Sequence, residues 1–123
     1  MIKAIAEAEQ ITTAQIRVYL SKKWWERNPL KRAQRLFDEL QWLDPSLKCS
    51  VLFYIHLKKK KFAILSGEEI EAKTPDAWLG ELAEQLRANL QATESERAIA
   101  LTIQSASKLL SQLFPRSKKP KES

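Results

Sequence analysis

This chain has few of the side chains and sequence patterns that carry chemistry by themselves. Its 123 residues include one cysteine, Cys49, one histidine, His56, and two glycines, Gly67 and Gly80. One cysteine cannot close an internal disulfide, and just ahead of a strand it reads as a small core residue. One histidine excludes a His-based metal pair, and inside an apolar run it reads as a satisfied strand residue. Two glycines are too few to line a phosphate cradle, and no Walker sequence is present. No Ser-His-Asp order can be assembled. Asp38, Glu39, Asp44 and Asp76 are scattered, with no spacing that builds a carboxylate pair. No catalytic residue and no metal ligand is therefore assigned. Long apolar runs are also missing: none approaches the ~18 residues of a membrane helix. The opening MIKAIAEAEQ carries two glutamates and no uninterrupted apolar stretch, unlike a signal peptide. The expected compartment is the cytoplasm, with an exported mature fragment as the alternative.

What is present is an ordinary globular composition, 44% hydrophobic and long enough for one domain with a core. The net charge is +6. Arg116, Lys118, Lys119 and Lys121 against Glu122 alone supply half of it, so residues 1–115 carry only +3. Residues 1–115 read as the domain and 116–123 as a disordered basic tail. Such a mild charge does not argue for specific nucleic-acid binding.

The most informative stretch is residues 51–70, VLFYIHLKKKKFAILSGEEI. Residues 51–57 are apolar, with β-branched and aromatic side chains, and hardly alternate. That pattern predicts a strand buried on both faces. Lys58, Lys59, Lys60 and Lys61 interrupt the run, residues 62–65 resume it, and Ser66-Gly67 end it, which reads as a β-hairpin. Upstream, Ile16, Val18 and Leu20 alternate with Gln15, Arg17 and Tyr19, predicting a strand with one face in the core. Ile2, Ile5, Ala6 and Glu9 mark a first helix with a narrow apolar stripe.

Asn28-Pro29 starts a second helix, striped by Leu30, Ala33, Leu36, Phe37 and Leu40 and reaching about Trp42. Asp44-Pro45-Ser46 is a turn. Thr74-Pro75 repeats the cap-and-proline start for a helix striped by Leu79, Leu82, Leu86 and Leu90. Thr93 with Glu96 matches a capping box opening a last helix with Ile99, Ile103, Ala106, Leu110 and Leu113 on one face. The order is α, β, α, β, β, α, α. A helix between the first two strands makes them parallel, with a right-handed crossover. The third strand is then antiparallel to the second, with helices on both faces of a small mixed sheet.

Segments IAEAEQITTAQIRVYL, NPLKRAQRLFDEL and VLFYIHLKKKKFAIL, then Ile70 and a last helix ending in LFP, together resemble the TPM domain family. That family is named after a thylakoid lumen protein, a photosystem II repair protein and a nematode receptor modulator; the likeness is to its short bacterial members and covers residues 2–115. The resemblance implies a three-layer α/β/α sandwich of Rossmann-like appearance. It also brings a proposed acid phosphatase activity and, in some members, bound calcium. Members commonly carry Gly-Asp-x-Gly-Ile after the last hairpin strand; here the same position reads Ser66-Gly67-Glu68-Glu69-Ile70. Longer members also have an aspartate-rich segment before the first helix, whereas this sequence opens on the helix. Calcium takes six to eight oxygen ligands with several carboxylates. With both sources altered, no cofactor is expected, and Glu68 and Glu69 read as first-turn helix acids.

Strand polarity sorts the loops to two edges. Where the first two strands begin and the third ends, Thr12, Thr13, Gln15, Ser50, Ser66 and Glu68 would line a pocket. They offer hydroxyls, an amide and a carboxylate but no activated nucleophile; their ordinary reading is as turn and cap residues. The opposite edge would gather Lys22, Lys23, Trp24, Trp25 and Arg27 with Lys58 to Lys61. Basic residues beside exposed aromatics suit an acidic protein or an anionic membrane surface. Their ordinary reading is a solvated hairpin tip and tryptophans packed on the next helix. The expected function is a non-catalytic interaction module; the alternative is a weak calcium-dependent acid phosphatase.

Overall fold

A computed structural model describes residues 2–21, 29–56 and 61–116. Its elements are α1 (Ile2–Ile11), β1 (Gln15–Ser21), α2 (Pro29–Leu43), a 3-10 turn (Pro45–Cys49), β2 (Ser50–His56), β3 (Lys61–Ser66), α3 (Glu68–Lys73), α4 (Trp78–Ala92) and α5 (Ser95–Leu113). The described residues thus hold a three-stranded mixed sheet and five α-helices. The strand order is β1-β2-β3, with β1 parallel and β3 antiparallel to β2. The central place of β2 follows from its composition, since every residue from Ser50 to His56 is buried.

Val51, Phe53 and Ile55 project from one face of β2 into an apolar cluster with Ile16 of β1, Ala4 and Ala8 of α1, Leu82 and Leu86 of α4, and Ile99, Ile103, Ala106 and Leu110 of α5. Leu52, Tyr54 and His56 are equally buried but lie outside that cluster, as do Ala33 and Phe37 of α2, which packs on β2 and β3. The Tyr19 and Tyr54 rings, paired in register, meet at 5.0 Å between centroids.

Several local expectations change. The first helix buries Ala4 and Ala8 rather than the Ile2 and Ala6 of the expected stripe, and Ile2 is 83% exposed. α1 lies along α5, and small residues let two helices approach closely. Glu68 to Lys73 form a separate short helix. Thr74 ends it instead of starting the next: its backbone N–H and its hydroxyl both donate to the Ile70 carbonyl. α4 begins later, at Trp78. Thr93 closes α4 through its N–H to the Asn89 carbonyl, so no capping box forms; Glu94 caps α5 without a side-chain bond. Ile64 is half-buried, in keeping with its edge strand, whereas Phe53 and Ile55 are fully buried.

Candidate functional site

The sheet edge where β1 and β2 begin brings three of the six expected pocket residues together. Gln15 is paired with Ser50, Val51 with Ser66, and the Gly67 N–H donates to the Ser50 carbonyl at 2.9 Å. Most of the polar groups there already have partners. The Thr12 hydroxyl, fully buried, lies 2.7 Å from the Phe114 carbonyl and 3.0 Å from that of Leu110, and accepts the Ala14 N–H. With the Thr13 N–H donating to Phe114 and a bridge from Thr12 to Pro115, it ties the end of α5 to the α1–β1 junction. The Ser50 hydroxyl donates to the Leu47 carbonyl. Gln15 Oε1 accepts from Arg17 Nη2 at 2.9 Å and from Nε at 3.3 Å. Thr13 is exposed. Among the described residues two buried side-chain atoms lack a partner, the Ser66 hydroxyl at this edge and Gln41 Oε1 on α2.

Glu68 opens elsewhere. It lines an open depression of about 570 Å³ with Asp38, Gln41, Trp42, Pro45 and Lys48. None of the other five expected pocket residues reaches that depression. Asp44, which precedes Pro45 in the chain, caps the 3-10 turn: hydrogen bonds from the Ser46 hydroxyl and N–H hold its carboxyl below the usual range. Trp42, which sequence reasoning did not single out, is 88% exposed, and Leu43 beside it is 81% exposed. For Trp42 the available signal was helical spacing, which sets it opposite the Ala33–Phe37–Leu40 stripe; Leu43, three residues after Leu40, continues that stripe and is exposed at the end of the helix.

Gly67 is held by space rather than by its torsion angles, φ −73° and ψ 170°. A Cβ there would fall well inside contact with the Leu47 and Lys48 carbonyl oxygens. The position that carries aspartate in the family pattern therefore has no room for any side chain. Among the described residues no three His, Cys, Asp or Glu side chains are grouped to hold a metal ion. Glu68 and Asp38 share their depression with Lys48, whose charge opposes a cation. The donor set does not fit the calcium that the family resemblance implies. Cys49 offers no nucleophile either: burial first, then the Glu69 carboxylate, push its thiol pKa up, against a smaller downward pull from Lys73.

At the opposite edge, Ser21 pairs with His56 and His56 with Lys61, so β1 and β2 end and β3 starts side by side. The expected contact residues Lys22, Lys23, Trp24, Trp25, Lys58, Lys59 and Lys60 lie outside the described residues; Lys61 is exposed. A depression of about 540 Å³ opens at this edge, with Phe62 and Arg87 in its lining. The Arg87 guanidinium stands 5.4 Å from the Phe62 ring centroid. No described helix is long and apolar enough to cross a membrane.

A profile of the TPM domain matches residues 1–109. The NMR structure of the BA42 protein from the psychrophilic bacterium Bizionia argentinensis sp. nov. superposes with a TM-score of 0.82 at 25% identity, covering 99% of this chain and 83% of that one. No curated protein sequence matches.

Proposed function

The chain belongs to the TPM domain family, and on that premise we propose that it acts as a non-catalytic interaction module contacting an acidic surface of a protein or membrane. The observation that carries this reading is the register Ser21–His56–Lys61. By chain continuity, residues 22–28 and 57–60 both leave from that edge. Their sequences hold Lys22, Lys23, Trp24, Trp25 and Arg27 on one side and Lys58, Lys59 and Lys60 on the other. Arg87 adds an exposed cation close by. Cations interleaved with aromatic rings attract an acidic surface at long range and hold it at short range. The same reading takes residues 1–115 as a three-layer α/β/α sandwich followed by a basic tail. Its support is the packing of α2 on β2 and β3, apart from the cluster built with α1, α4 and α5.

Contact through this edge is expected to weaken with salt, because it is partly electrostatic. Replacing Lys58 to Lys61 by serine should leave the circular dichroism spectrum unchanged and reduce co-sedimentation with phosphatidylserine vesicles or capture of acidic proteins. Trp24→Ala and Trp25→Ala should reduce capture as well. If all variants retain every partner at every salt concentration, the edge is a solvated hairpin tip.

The competing reading is a calcium-dependent acid phosphatase. A metal-assisted hydrolase needs anionic ligands and an open coordination position. At the family-type edge the hydroxyls of Thr12 and Ser50 are bonded to main-chain carbonyls and Gly67 excludes a carboxylate. The purified chain is expected to hydrolyse para-nitrophenyl phosphate no faster than a blank, with or without calcium. Saturable turnover lost in Glu68→Gln would restore the enzyme.

A further inference from the structure

The outward face of α2 has a pattern that its packing in the monomer does not explain. Ala33 and Phe37 face inward and are buried. Turned away from them, at i, i+4, i+7 and i+11, stand Lys31, Arg35, Asp38 and Trp42. A shallow open groove of about 470 Å³ runs along this face, lined by Lys31, Gln34, Arg35, Asp38, Glu39 and Trp42. The charges are ordered along the helix, with Lys31, Arg32 and Arg35 in the first half and Asp38 and Glu39 in the second.

We infer that this face docks a second copy of the chain, α2 against α2, antiparallel about a two-fold axis between Leu36 and Phe37. A two-fold interface demands self-complementarity: if one residue meets another, the second must meet the first across the axis. Four of the groove residues, those nearest the centre of the face, meet that demand as two pairs. Arg35 of one copy faces Asp38 of the other, and Lys31 faces Trp42. These are an ion pair and a cation over an indole face, each made twice. Within one helix Asp38 keeps a carboxylate oxygen for this role, since Gln34 Nε2 donates to the other, Oδ1, at 3.0 Å. Trp42, 88% exposed in the monomer, gains cover.

A parallel arrangement would set basic half on basic half and is disfavoured. A contact of one 15-residue helix with its copy buries less than the ~1,200 Å² of a stable standard interface. The dimer is therefore weak, formed at high concentration and low salt. The face runs along α2, whose first turn follows residues 22–28 of the edge proposed above; changes at Arg35, Asp38 and Trp42 leave the lysines and tryptophans of that edge in place, so the two readings are tested separately.

The test is sedimentation equilibrium of the full chain, from micromolar to millimolar concentration, at low and high salt. Wild type should associate to dimers and dissociate as salt rises. Arg35→Glu places glutamate against Asp38, and Asp38→Arg places arginine against Arg35; each single variant should weaken association at least about tenfold. The double variant Arg35→Glu/Asp38→Arg restores opposite charges across the axis and should recover the dimer. Trp42→Ala should weaken it without touching the charges. All sit on an exposed face, and circular dichroism should show each variant folded. A wild type that stays monomeric at about 1 mM and low salt overturns the inference and leaves this face to a different partner. So does a folded double variant that fails to recover what the single variants lose.

Discussion

Gly67→Ala is expected to destabilise the protein by about 3 kcal/mol or more, whereas Gly80→Ala is expected to stabilise it by about 0.5 kcal/mol. The two glycines are the only ones in the chain, and neither has a left-handed φ, so what separates them is the space around each. At Gly67 a methyl group would meet the backbone carbonyls of Leu47 and Lys48, on the 3-10 turn that leads into β2. Backbone oxygens cannot swing aside as a side-chain tip can. Relief would require moving that turn or breaking the hydrogen bond from the Gly67 N–H to the Ser50 carbonyl. At Gly80, on the exposed side of α4, a methyl group would meet nothing within 4 Å and would only lower the freedom of the unfolded chain. Urea denaturation of both variants reads the difference directly. A Gly67→Ala protein within about 1 kcal/mol of wild type would show that the turn yields easily. The position could then accept the family's aspartate after all, and the case against a cation site at this edge would fall.

The sheet was legible because its signals are local and strong. The unbroken apolar run of β2 predicted burial on both faces, and the alternation of Ile16, Val18 and Leu20 predicted a strand with one core face. The helix at Pro29 and the stripe of α5 were legible for the same reason. Around Thr74 the chain was harder to read, because a Thr-Pro step suits a helix end as well as a helix start. What decided it was the Ile70 carbonyl, which takes both Thr74 donors. The α1 stripe was misread because alanine carries little hydrophobic weight in a sequence, yet it is what lets α1 lie close to α5. The candidate site was least legible. Thr12 looked like a pocket hydroxyl, but its bonds to Phe114 and Leu110 come from the far end of the chain. Glu68 was assigned to the same pocket, yet it opens toward Trp42 and Lys48. Which way a residue after a strand faces depends on how its neighbouring turn docks, and no short-range pattern records that.

Phe53→Ala is expected to cost about 3–5 kcal/mol, which would leave a domain of this size marginal or unfolded at room temperature. Phe53 is fully buried in the middle strand, between Val18 of β1 and Ile64 of β3 in register, and belongs to the cluster that joins the sheet to α1, α4 and α5. Its removal takes away a large apolar side chain and leaves a hole on a face where two strands and three helices meet, so collapse from any one side is resisted. Ile64→Ala on the edge strand provides the contrast. It is half-buried, and its neighbours are free to close over the gap from the solvent side. Its cost should stay near about 2 kcal/mol, at the low end for an aliphatic truncation. The two variants, measured by chemical denaturation under one condition, rank the strands. A Phe53→Ala cost below about 1 kcal/mol, or one no larger than that of Ile64→Ala, would mean that β2 is not where the stability of the sheet is concentrated.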